Sequence, residues 1–403
     1  MSRVLIYLIF LCYLLLLAGC GREDYTTNNP PDIPITGPEN VDADISEEVD
    51  REVNKTEEAG TEEVETGEVG TEKPYILVTD AMGREVMIPR DIRHLSTLQS
   101  PITHIVAMLG GADKLVAIPS GNTRDVLFVE MFPSILELRT PRGNNIFNIE
   151  EIYVYPPPEV VLVNSASVND ERVLNNLEAF GAPVVAIEFN TLDELKDMVL
   201  LVGTILGNEE RAQEYNDHLL STLTMITDRV GDMPEEEKRV VYHAVNELLR
   251  TNTPHSLSGQ WLPKMGVHLA GSQVSEESPF SDRRFINLEE LLLLDPEFII
   301  INGANVYDYI RGPQGDRLRL LQAYQNNNIY LLPMGITRWA HTNSIETPLA
   351  MKWVAQIVHP YLFEDIDMAE EIKDFYRRFF DFELSDELVT LILEGRALRD
   401  WEG

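Results

Sequence analysis

The sequence predicts an α/β protein of two Rossmann-like lobes with parallel-rich sheets, joined by one long rigid helix, with a ligand cleft between the lobes. Three observations support this fold class. The chain has 403 residues, which is too long for one ordinary core. Several apolar runs have the length and composition of buried strands. One strand-and-helix pattern occurs twice, with a purely helical stretch between the copies.

The repeated pattern occupies 148–166 and 287–304, which read NIEEIYVYPPPEVVLVNSA and NLEELLLLDPEFIIINGA. In each copy, two glutamates lie in the first turn of a predicted short helix, where the helix dipole favours negative charge. Proline then stops the helix, and an apolar strand follows. The loop after that strand lies where α/β sheets usually place ligand contacts.

Runs such as VVLV and VVAIE show no polar alternation, which is typical of parallel strands covered by helices on both faces. In the first lobe the patterns predict strands at 75–79, 86–88, 93–96, 115–118, 159–164 and 184–188, and helices at 101–109, 148–154 and 169–180. In the second lobe they predict strands at 239–245, 298–302 and 329–332, and helices at 258–265 and 287–294. Three more helices are predicted at 346–358, 368–380 and 385–393.

Between the lobes, 191–230 carries two helical patterns without a strand signal. The first ends at Gly207, and the second opens at the capping residue Asn208. Apolar residues of the second pattern recur at spacings of three and four, which places them on one face: Ala212, Tyr215, Leu219, Leu223 and Ile226. At ~1.5 Å per residue this helix reaches ~30 Å, about the width of a small domain. We therefore expect it to bridge the lobes.

The formal net charge is −35, and the sequence lacks the clustered Lys and Arg that phosphate backbones require. A nucleic-acid partner is therefore not expected. Much of the charge is local, because 21–73 holds seventeen acidic and four basic residues. Such a segment buries too little apolar surface to fold, so we expect an extended acidic tether. A partner-binding acidic tail is the alternative.

The first twenty residues have the features of an export signal. Arg3 precedes an apolar run at 4–17, which is shorter than the ~20 residues of a membrane helix. The following Leu17-Ala18-Gly19-Cys20 resembles the lipobox of bacterial lipoproteins. That resemblance implies diacylation of Cys20 and an extracytoplasmic protein anchored to a bacterial membrane by lipid. An uncleaved membrane anchor is the alternative. Cys12 is the only other cysteine, so we expect no disulfide and no thiolate metal site.

From 75 to 395 the chain resembles the solute-binding proteins of bacterial ABC importers, most closely the group that binds iron siderophores, haem and cobalamin. The resemblance rests on the order of several pieces: TDAMGREVMIPRDIRHLS, Ser100-Pro101 with LGGADKLVAI, the two repeated blocks, WVAQIVHPYLFEDID and FYRRFFDFELSDE. It implies a metal chelate as cargo with no cofactor of the protein's own, and an ABC permease dimer with its ATPase as partner. The predicted parts are a signal peptide (1–20), tether (21–73), N-terminal lobe (74–190), connecting helices (191–237), C-terminal lobe (238–360) and C-terminal helices (361–403).

The same resemblance implies a role for the repeated glutamates. In this family one exposed acid on each lobe meets arginines of the permease, and the matching positions are Glu150 and Glu289. Arg–carboxylate pairs give oriented contacts, and opposite charges speed docking. The neighbouring Glu151 and Glu290 are the alternatives, as is a role limited to the helix N-termini.

Loops at the carboxyl ends of the predicted strands supply the candidate ligand residues. Arginines there suit anionic groups of a chelate, because guanidinium offers fixed, forked donors, and aromatic rings suit a flat or macrocyclic face. The GITRWAHTNS segment is the densest polar and aromatic cluster in the chain. The candidates are Ser100, Asn122, Arg124, Arg142, Asn144, Ser165, Thr253, His255, Tyr307, Arg338, Trp339 and His341.

The eight histidines form no HxH or HExxH pair, so a preformed metal site is not expected, although His255 or His341 could ligate the metal of a chelate. No G-x-S-x-G, Walker or G-x-G-x-x-G motif follows a strand, so we do not expect an enzyme. Two alternatives remain open. One is a surface-anchored, chelate-modifying hydrolase using His255 with Ser256 or Ser258, and the other is a sensory or chaperone-like lipoprotein on the same scaffold.

Overall fold

The computed structural model describes residues 75–143, 146–231, 233–273 and 281–396. These ranges belong to one compact unit that extends from Glu68 to Gly403. Cys20, the acidic segment and Asn144 lie outside the described residues, and Arg142 is described by its backbone. Among the described helices, none has the length and apolar character needed to cross a membrane.

The first lobe contains a six-stranded sheet in the order β6-β5-β4-β3-β7-β8, preceded by an antiparallel β1–β2 hairpin. All neighbours in the sheet are parallel except β5 and β6. The strands are β1 (Tyr75–Thr79), β2 (Glu85–Pro89), β3 (Leu95–Thr97), β4 (Leu115–Pro119), β5 (Arg139–Gly143), β6 (Ile146–Phe147), β7 (Val160–Val163) and β8 (Val184–Ala186).

The second lobe contains a four-stranded, wholly parallel sheet in the order β11-β9-β13-β14. Two short antiparallel strands, β10 and β12, form a separate pair beside it. The strands are β9 (Arg239–Ala244), β10 (Arg250–Asn252), β11 (Val267–Leu269), β12 (Arg283–Phe285), β13 (Phe298–Ile301) and β14 (Ile329–Leu331).

Helices cover both faces of each sheet. The α-helices are α1 (Ser100–Met108), α2 (Val126–Met131), α3 (Ile149–Ile152), α4 (Ser165–Asn169), α5 (Glu171–Glu178), α6 (Leu192–Leu206), α7 (Glu209–Val230), α8 (Leu257–Trp261), α9 (Leu288–Leu294), α10 (Ala304–Arg311), α11 (Gln322–Gln325), α12 (Thr347–Val358), α13 (Met368–Phe380) and α14 (Asp386–Glu394). Shorter 3₁₀ segments are Ala112–Lys114, Asn122–Arg124, Pro133–Glu137, Glu235–Glu237, Leu262–Met265, Pro313–Leu320 and Pro360–Leu362.

The apolar runs predicted as parallel strands are buried on both faces. In β7, Val160 and Leu162 join the main core, whereas Val161 and Val163 join a smaller core behind the sheet. In β13 the same alternation divides Phe298 and Ile300 from Ile299 and Ile301. The main core runs without a break from the first sheet through α6 and α7 to the second. The predicted fold class is therefore confirmed.

Helix α7 is the long bridging helix. Its 22 residues correspond to ~33 Å, and it packs against α6 and α12. Four of the five predicted apolar residues are fully or almost fully buried on this helix, Ala212, Tyr215, Leu219 and Ile226. The Tyr215 hydroxyl donates to the Ile345 carbonyl oxygen at 2.7 Å, which ties α7 to the loop before α12.

Several short elements were missed. Strands β10, β11 and β12 have three residues each, too few for a period-two pattern to emerge. The helix predicted over 169–180 is divided, because Asp170 accepts hydrogen bonds from Arg172 N and Val173 N and so caps α5. Most of the segment 302–309, expected to be a cleft loop, lies in α10, which begins at Ala304.

The contact between α6 and α7 leaves no room for a larger side chain at Gly203, where a Cβ atom would lie 2.6 Å from Ala212 Cβ. We expect Gly203→Val to lower the free energy of unfolding by about 1–3 kcal/mol through overpacking, as measured by urea denaturation. The control Thr224→Val, on the exposed face of α7, should change it by less than about 0.5 kcal/mol. An equal free energy of unfolding in the two variants would show that α6 and α7 can move apart without a loss of stability.

Candidate functional site

A cavity of about 200 Å³ lies between the two lobes. The first lobe lines it with Ser100 and His104 of α1 and with the turn after β4, including Asn122 and Arg124. The second lobe lines it with the loop after β14, including Arg338. We call it the arginine cavity, because each lobe contributes one guanidinium group.

Its first-lobe wall contains a buried polar pair. His104 is 4% exposed, Asn122 is 1% exposed, and Asn122 Nδ2 lies 3.0 Å from His104 Nε2. Burial lowers the pKa of His104 to about 3, so its imidazole is neutral at pH 7. With the amide donating to Nε2, the ring proton lies on Nδ1. Within the described part of the chain, His104 Nδ1 and Asn122 Oδ1 have no hydrogen-bond partner.

The second-lobe wall is oriented by two asparagines. Arg338 donates from Nη1 to Asn246 Oδ1 at 3.0 Å, and Asn246 N donates to Asn302 Oδ1 at 2.7 Å. Asn246 has a φ of 62°, a left-handed conformation that asparagine tolerates better than most residues. Both asparagines follow a strand of the second sheet, so the sheet itself positions the Arg338 guanidinium.

A buried carboxylate fixes the loop that carries Arg338. Glu346 is fully buried, and its Oε2 accepts from Thr337 N and Oγ1 at 2.7 and 2.6 Å. Its Oε1 accepts from Trp339 Nε1 at 3.1 Å and from the Tyr376 hydroxyl at 2.6 Å. Burial raises the pKa of Glu346, and the hydrogen bonds from Thr337, Tyr376 and Trp339 oppose that shift.

The same network reaches the cavity surface. Ile336 N donates to the Tyr376 hydroxyl at 3.1 Å, and Ile336 lines the arginine cavity beside Gly335. A Cβ atom at Gly335 would lie 1.9 Å from Glu346 Oε1, so this close approach requires glycine. The backbone of the cavity wall is thus held from behind by helix α13.

A second cavity of about 490 Å³ also spans the cleft, and we call it the polar cavity. Its first-lobe wall includes Ser165, which donates from Oγ to Glu188 Oε2 at 2.8 Å. Its second-lobe wall includes Asp282 and Arg283, whose Oδ1 and Nε atoms are 2.9 Å apart. Asn343 also lines it and donates from Nδ2 to the Phe189 carbonyl oxygen of the other lobe at 3.1 Å.

The structure brings six of the predicted ligand residues to these cavities. Ser100, Asn122, Arg124 and Arg338 line the arginine cavity, and Ser165 and His255 line the polar cavity. His341 is half-buried on the same loop as Arg338. Burial, followed by the nearby Arg338 and Arg250, lowers the pKa of His341 to about 4. Ligand contact by these residues stays a prediction.

The predictions for three side chains do not fit the geometry. Trp339 is fully buried and hydrogen-bonded to Glu346, so its ring packs in the main core instead of facing a ligand. Tyr307 lies on α10, where it packs on the smaller core of the second lobe and its ring centroid is 5.5 Å from Arg311 Cζ. Thr253 is 1% exposed and donates to the Ser281 carbonyl oxygen, which makes it a structural residue.

Some cavity residues were missed by the sequence reasoning. His104 is not among the candidate ligand residues, yet it lines the arginine cavity. Glu188 follows directly after the apolar run VVAI, so its place at a strand's carboxyl end was a usable signal. Asp282 precedes and Arg283 begins β12, a three-residue strand that the sequence pattern does not reveal.

The described residues form no metal cluster, and the two serines named for a hydrolase hold structural positions. Within 75–396 and its stated gaps, no group of three His, Cys, Asp or Glu side chains is placed to hold a metal ion. Ser256 is buried, accepts from Gly259 N at 3.1 Å and so caps α8, while Ser258 accepts a hydrogen bond from Asn252. Both serines that a hydrolase would use have structural partners.

The two glutamates predicted to dock a permease both lie in the first turn of a helix. Glu150 is exposed on α3. Glu289 is 73% exposed on α9, with its Oε1 3.3 Å from Arg317 Nη2, while the neighbouring Glu290 pairs with Arg284 at 2.7 Å. The acid expected to be free in the second lobe is therefore loosely paired, and an external arginine would have to displace Arg317.

Two α/β lobes on one bridging helix, with polar cavities between them, define a protein of the bilobal solute-binding class. The chain belongs to the periplasmic binding protein family of ABC transporters, whose model matches residues 95–334. The molybdate-binding protein MolA of Haemophilus influenzae is 23% identical over 328 residues, covering 75% of this chain and 90% of MolA. Proteins of this family bind solutes, so bound ligand is cargo rather than a cofactor.

Two solved structures show the same fold. A periplasmic solute-binding protein from Veillonella parvula is 25% identical, with a TM-score of 0.67, and covers 79% of this chain and 97% of its own. CeuE of Helicobacter pylori, solved with Ni(II) bound, is 20% identical with a TM-score of 0.62, and covers 79% of this chain and 99% of its own.

Replacing the buried carboxylate tests the network behind the cavity. In Glu346→Gln, one oxygen becomes an NH₂ group facing two donors, so we expect the free energy of unfolding to fall by about 2–4 kcal/mol in urea denaturation. The control Glu194→Gln should cost less than about 0.5 kcal/mol, because glutamine also completes the capping box of α6. Equal stability of Glu346→Gln and the wild type would show that the native carboxyl is protonated.

Proposed function

We propose that this chain is the receptor of an ABC importer for a metal-containing anion, whose negative group is held between Arg124 and Arg338. The observation that carries this proposal is the convergence of two guanidinium groups, one from each lobe, on one small cavity in a chain of net charge −35. Like charges near each other are unfavourable unless an anion lies between them. The His104 Nδ1–H, which has no hydrogen-bond partner in the described residues, adds one donor at the same wall.

Two classes of anion fit different parts of the cleft. The arginine cavity, at about 200 Å³, is smaller than the ~300–1,000 Å³ of pockets for drug-sized ligands, which favours a compact metal oxyanion. Molybdate is the ligand named for the similar MolA protein. The second class is the metal chelate expected from the sequence, an iron siderophore, haem or cobalamin. The polar cavity, at about 490 Å³, favours it, because a chelate could place its anionic group near the arginines and its bulk there.

The proposal includes the membrane context predicted from the sequence. Lipid at Cys20 and the acidic tether would keep the receptor close to the permease with its ATPase, outside the cytoplasm. Glu150 and Glu289 would meet basic residues of the two permease subunits. The exposure of both carboxylates supports this role, since exposed opposite charges raise association rates.

Binding measurements test the cargo site. We expect Arg124→Ala and Arg338→Ala each to weaken anion binding ~10–100-fold in isothermal titration calorimetry, because each removes a charge-assisted contact. Sodium molybdate, a ferric siderophore, haemin and cyanocobalamin are the probes. Affinity for an oxyanion of constant charge in the arginine cavity should be flat between pH 5.5 and 8, because His104, the histidine that lines this cavity, has a pKa of about 3 and stays neutral there.

Arg283→Ala is the matched control, since Arg283 lines only the polar cavity. An oxyanion should bind this variant as it binds the wild type, whereas a chelate that fills both cavities should lose affinity for all three variants. Arginine variants that bind every probe like the wild type, or a wild type that binds none, would contradict the proposal.

Charge reversal tests the docking role separately. Glu150→Arg combined with Glu289→Arg should reduce uptake in cells at least ~10-fold, because it places like charges against the permease, while cargo affinity stays unchanged. Glu171→Arg with Glu387→Arg, at first-turn acids of α5 and α14, is the control pair. Unaltered uptake in the Glu150 and Glu289 double variant would refute the role.

A further inference from the structure

The repeated element displays an apolar side chain at the same position in both lobes. Counted from the asparagine that opens each copy, Val154 and Leu293 occupy equivalent places, and they are 53% and 86% exposed. Tyr155, next to Val154, is 90% exposed. Tyr155 and Leu293 are the most exposed large apolar side chains in the part of the chain that the structure describes. We call Val154–Tyr155 the tyrosine tip and Leu293 the leucine tip.

The backbone beneath the tyrosine tip is held in place by one arginine. Arg139 donates to the carbonyl oxygens of Val154 and Pro156, the second at 2.8 Å, and its Nε donates to Val116 O of strand β4 at 3.1 Å. The preceding Tyr153 stacks on Phe180 with ring centroids 4.3 Å apart. The tip is therefore presented on an ordered backbone.

The leucine tip is also held at both sides. Asn287 Oδ1 accepts from Glu290 N at 2.8 Å and caps the start of α9. Asp295 ends the helix and accepts from Gln322 N at 2.9 Å. Leu291 is fully buried and anchors the helix to the core of the second lobe. Leu293 thus projects from a short helix whose ends and inner face are fixed.

Neither tip is part of the cargo site. Both precede a strand, β7 or β13, whereas the cavity loops follow the carboxyl ends of the strands, and no tip residue lines either interlobe cavity. An apolar side chain on an ordered backbone binds with little loss of backbone entropy, which suits an interface anchor. Glu150 lies on α3, directly before the tyrosine tip along the chain, and Glu289 lies on α9 together with the leucine tip.

From this geometry we propose that the two tips are the apolar anchors of the permease interface, each filling an apolar pocket bordered by a basic residue. The inference rests on the proposed function, because it concerns how the same permease is held. Each lobe offers an acid and then an apolar tip in the same order along the chain, so the partner has two like subunits with matching sites. The acids guide association through charge, and the tips set how long the complex lasts.

Surface plasmon resonance against the importer's permease–ATPase complex in lipid nanodiscs separates these roles. Tyr155→Ser and Leu293→Ser should each raise the dissociation rate ~10-fold or more, with the association rate and its salt dependence unchanged. Tyr361→Ser and Leu136→Ser, at side chains 67% and 58% exposed elsewhere, are the matched controls and should match the wild type. Cargo affinity should be unchanged in all four variants.

Tip variants that dissociate like their controls, from a permease that the wild type binds, would overturn this inference and leave the proposed function intact. A wild type that binds cargo but does not dock would overturn the inference and the permease role together. Self-association of the wild type in analytical ultracentrifugation, abolished by the tip substitutions, would assign the tips to a second copy of the chain and overturn the inference.

Discussion

The buried apolar face of helix α7 is the constraint on which the rest of the molecule depends. It joins the inner faces of both sheets into one continuous core, so the lobes share a packed interior instead of meeting through flexible strands. Closely packed interiors resist deformation, and the close approach at Gly203 leaves α6 and α7 little room to shift against each other. The walls of both interlobe cavities are therefore positioned by packing that lies far from any ligand.

The C-terminal helices support the wall of the arginine cavity from behind. Tyr376 on α13 connects the buried Glu346 to the backbone of Ile336 at the cavity wall. A carboxylate with four hydrogen bonds and no solvent contact is costly to disturb, because each donor left without a partner loses its full hydrogen-bond energy. The last helices therefore help to shape the site although none of their own side chains reaches it.

The sequence was informative wherever a pattern extended over many residues. The doubled element, the continuous apolar strands and the helical period of α7 were enough to predict the two lobes and the bridge. Ser100, Asn122, Arg124 and Arg338 were found because residues after parallel strands gather at one edge of a sheet. The predictions that failed concern residues whose surroundings are set by partners far away in the sequence. The burial of Trp339 is set by Glu346 and Tyr376, and a pattern of neighbouring residues carries no information about such a contact.

The same limit explains the short elements. The missed strands β10, β11 and β12 have no detectable period, and the helix at Ala304–Arg311 begins after a glycine that resembles a loop residue. His104 was not proposed as a ligand residue, because the position of its helix at the cavity is a relation that only the fold reveals. Patterns of neighbouring residues thus predict most helices and strands. Which residues line the cavity depends on the tertiary structure.

The two guanidinium groups belong to different lobes, so the repulsion between them acts across the cleft. Arg124 and Arg338 line one cavity, and Asp125 beside them offsets only part of the positive charge. Repulsion between the two guanidinium groups opposes a closer approach of the two walls, and it weakens as dissolved ions screen it. Under the proposed function, an anion between the two arginines would offset this repulsion and attract both walls, so bound cargo would add to the contacts between the lobes.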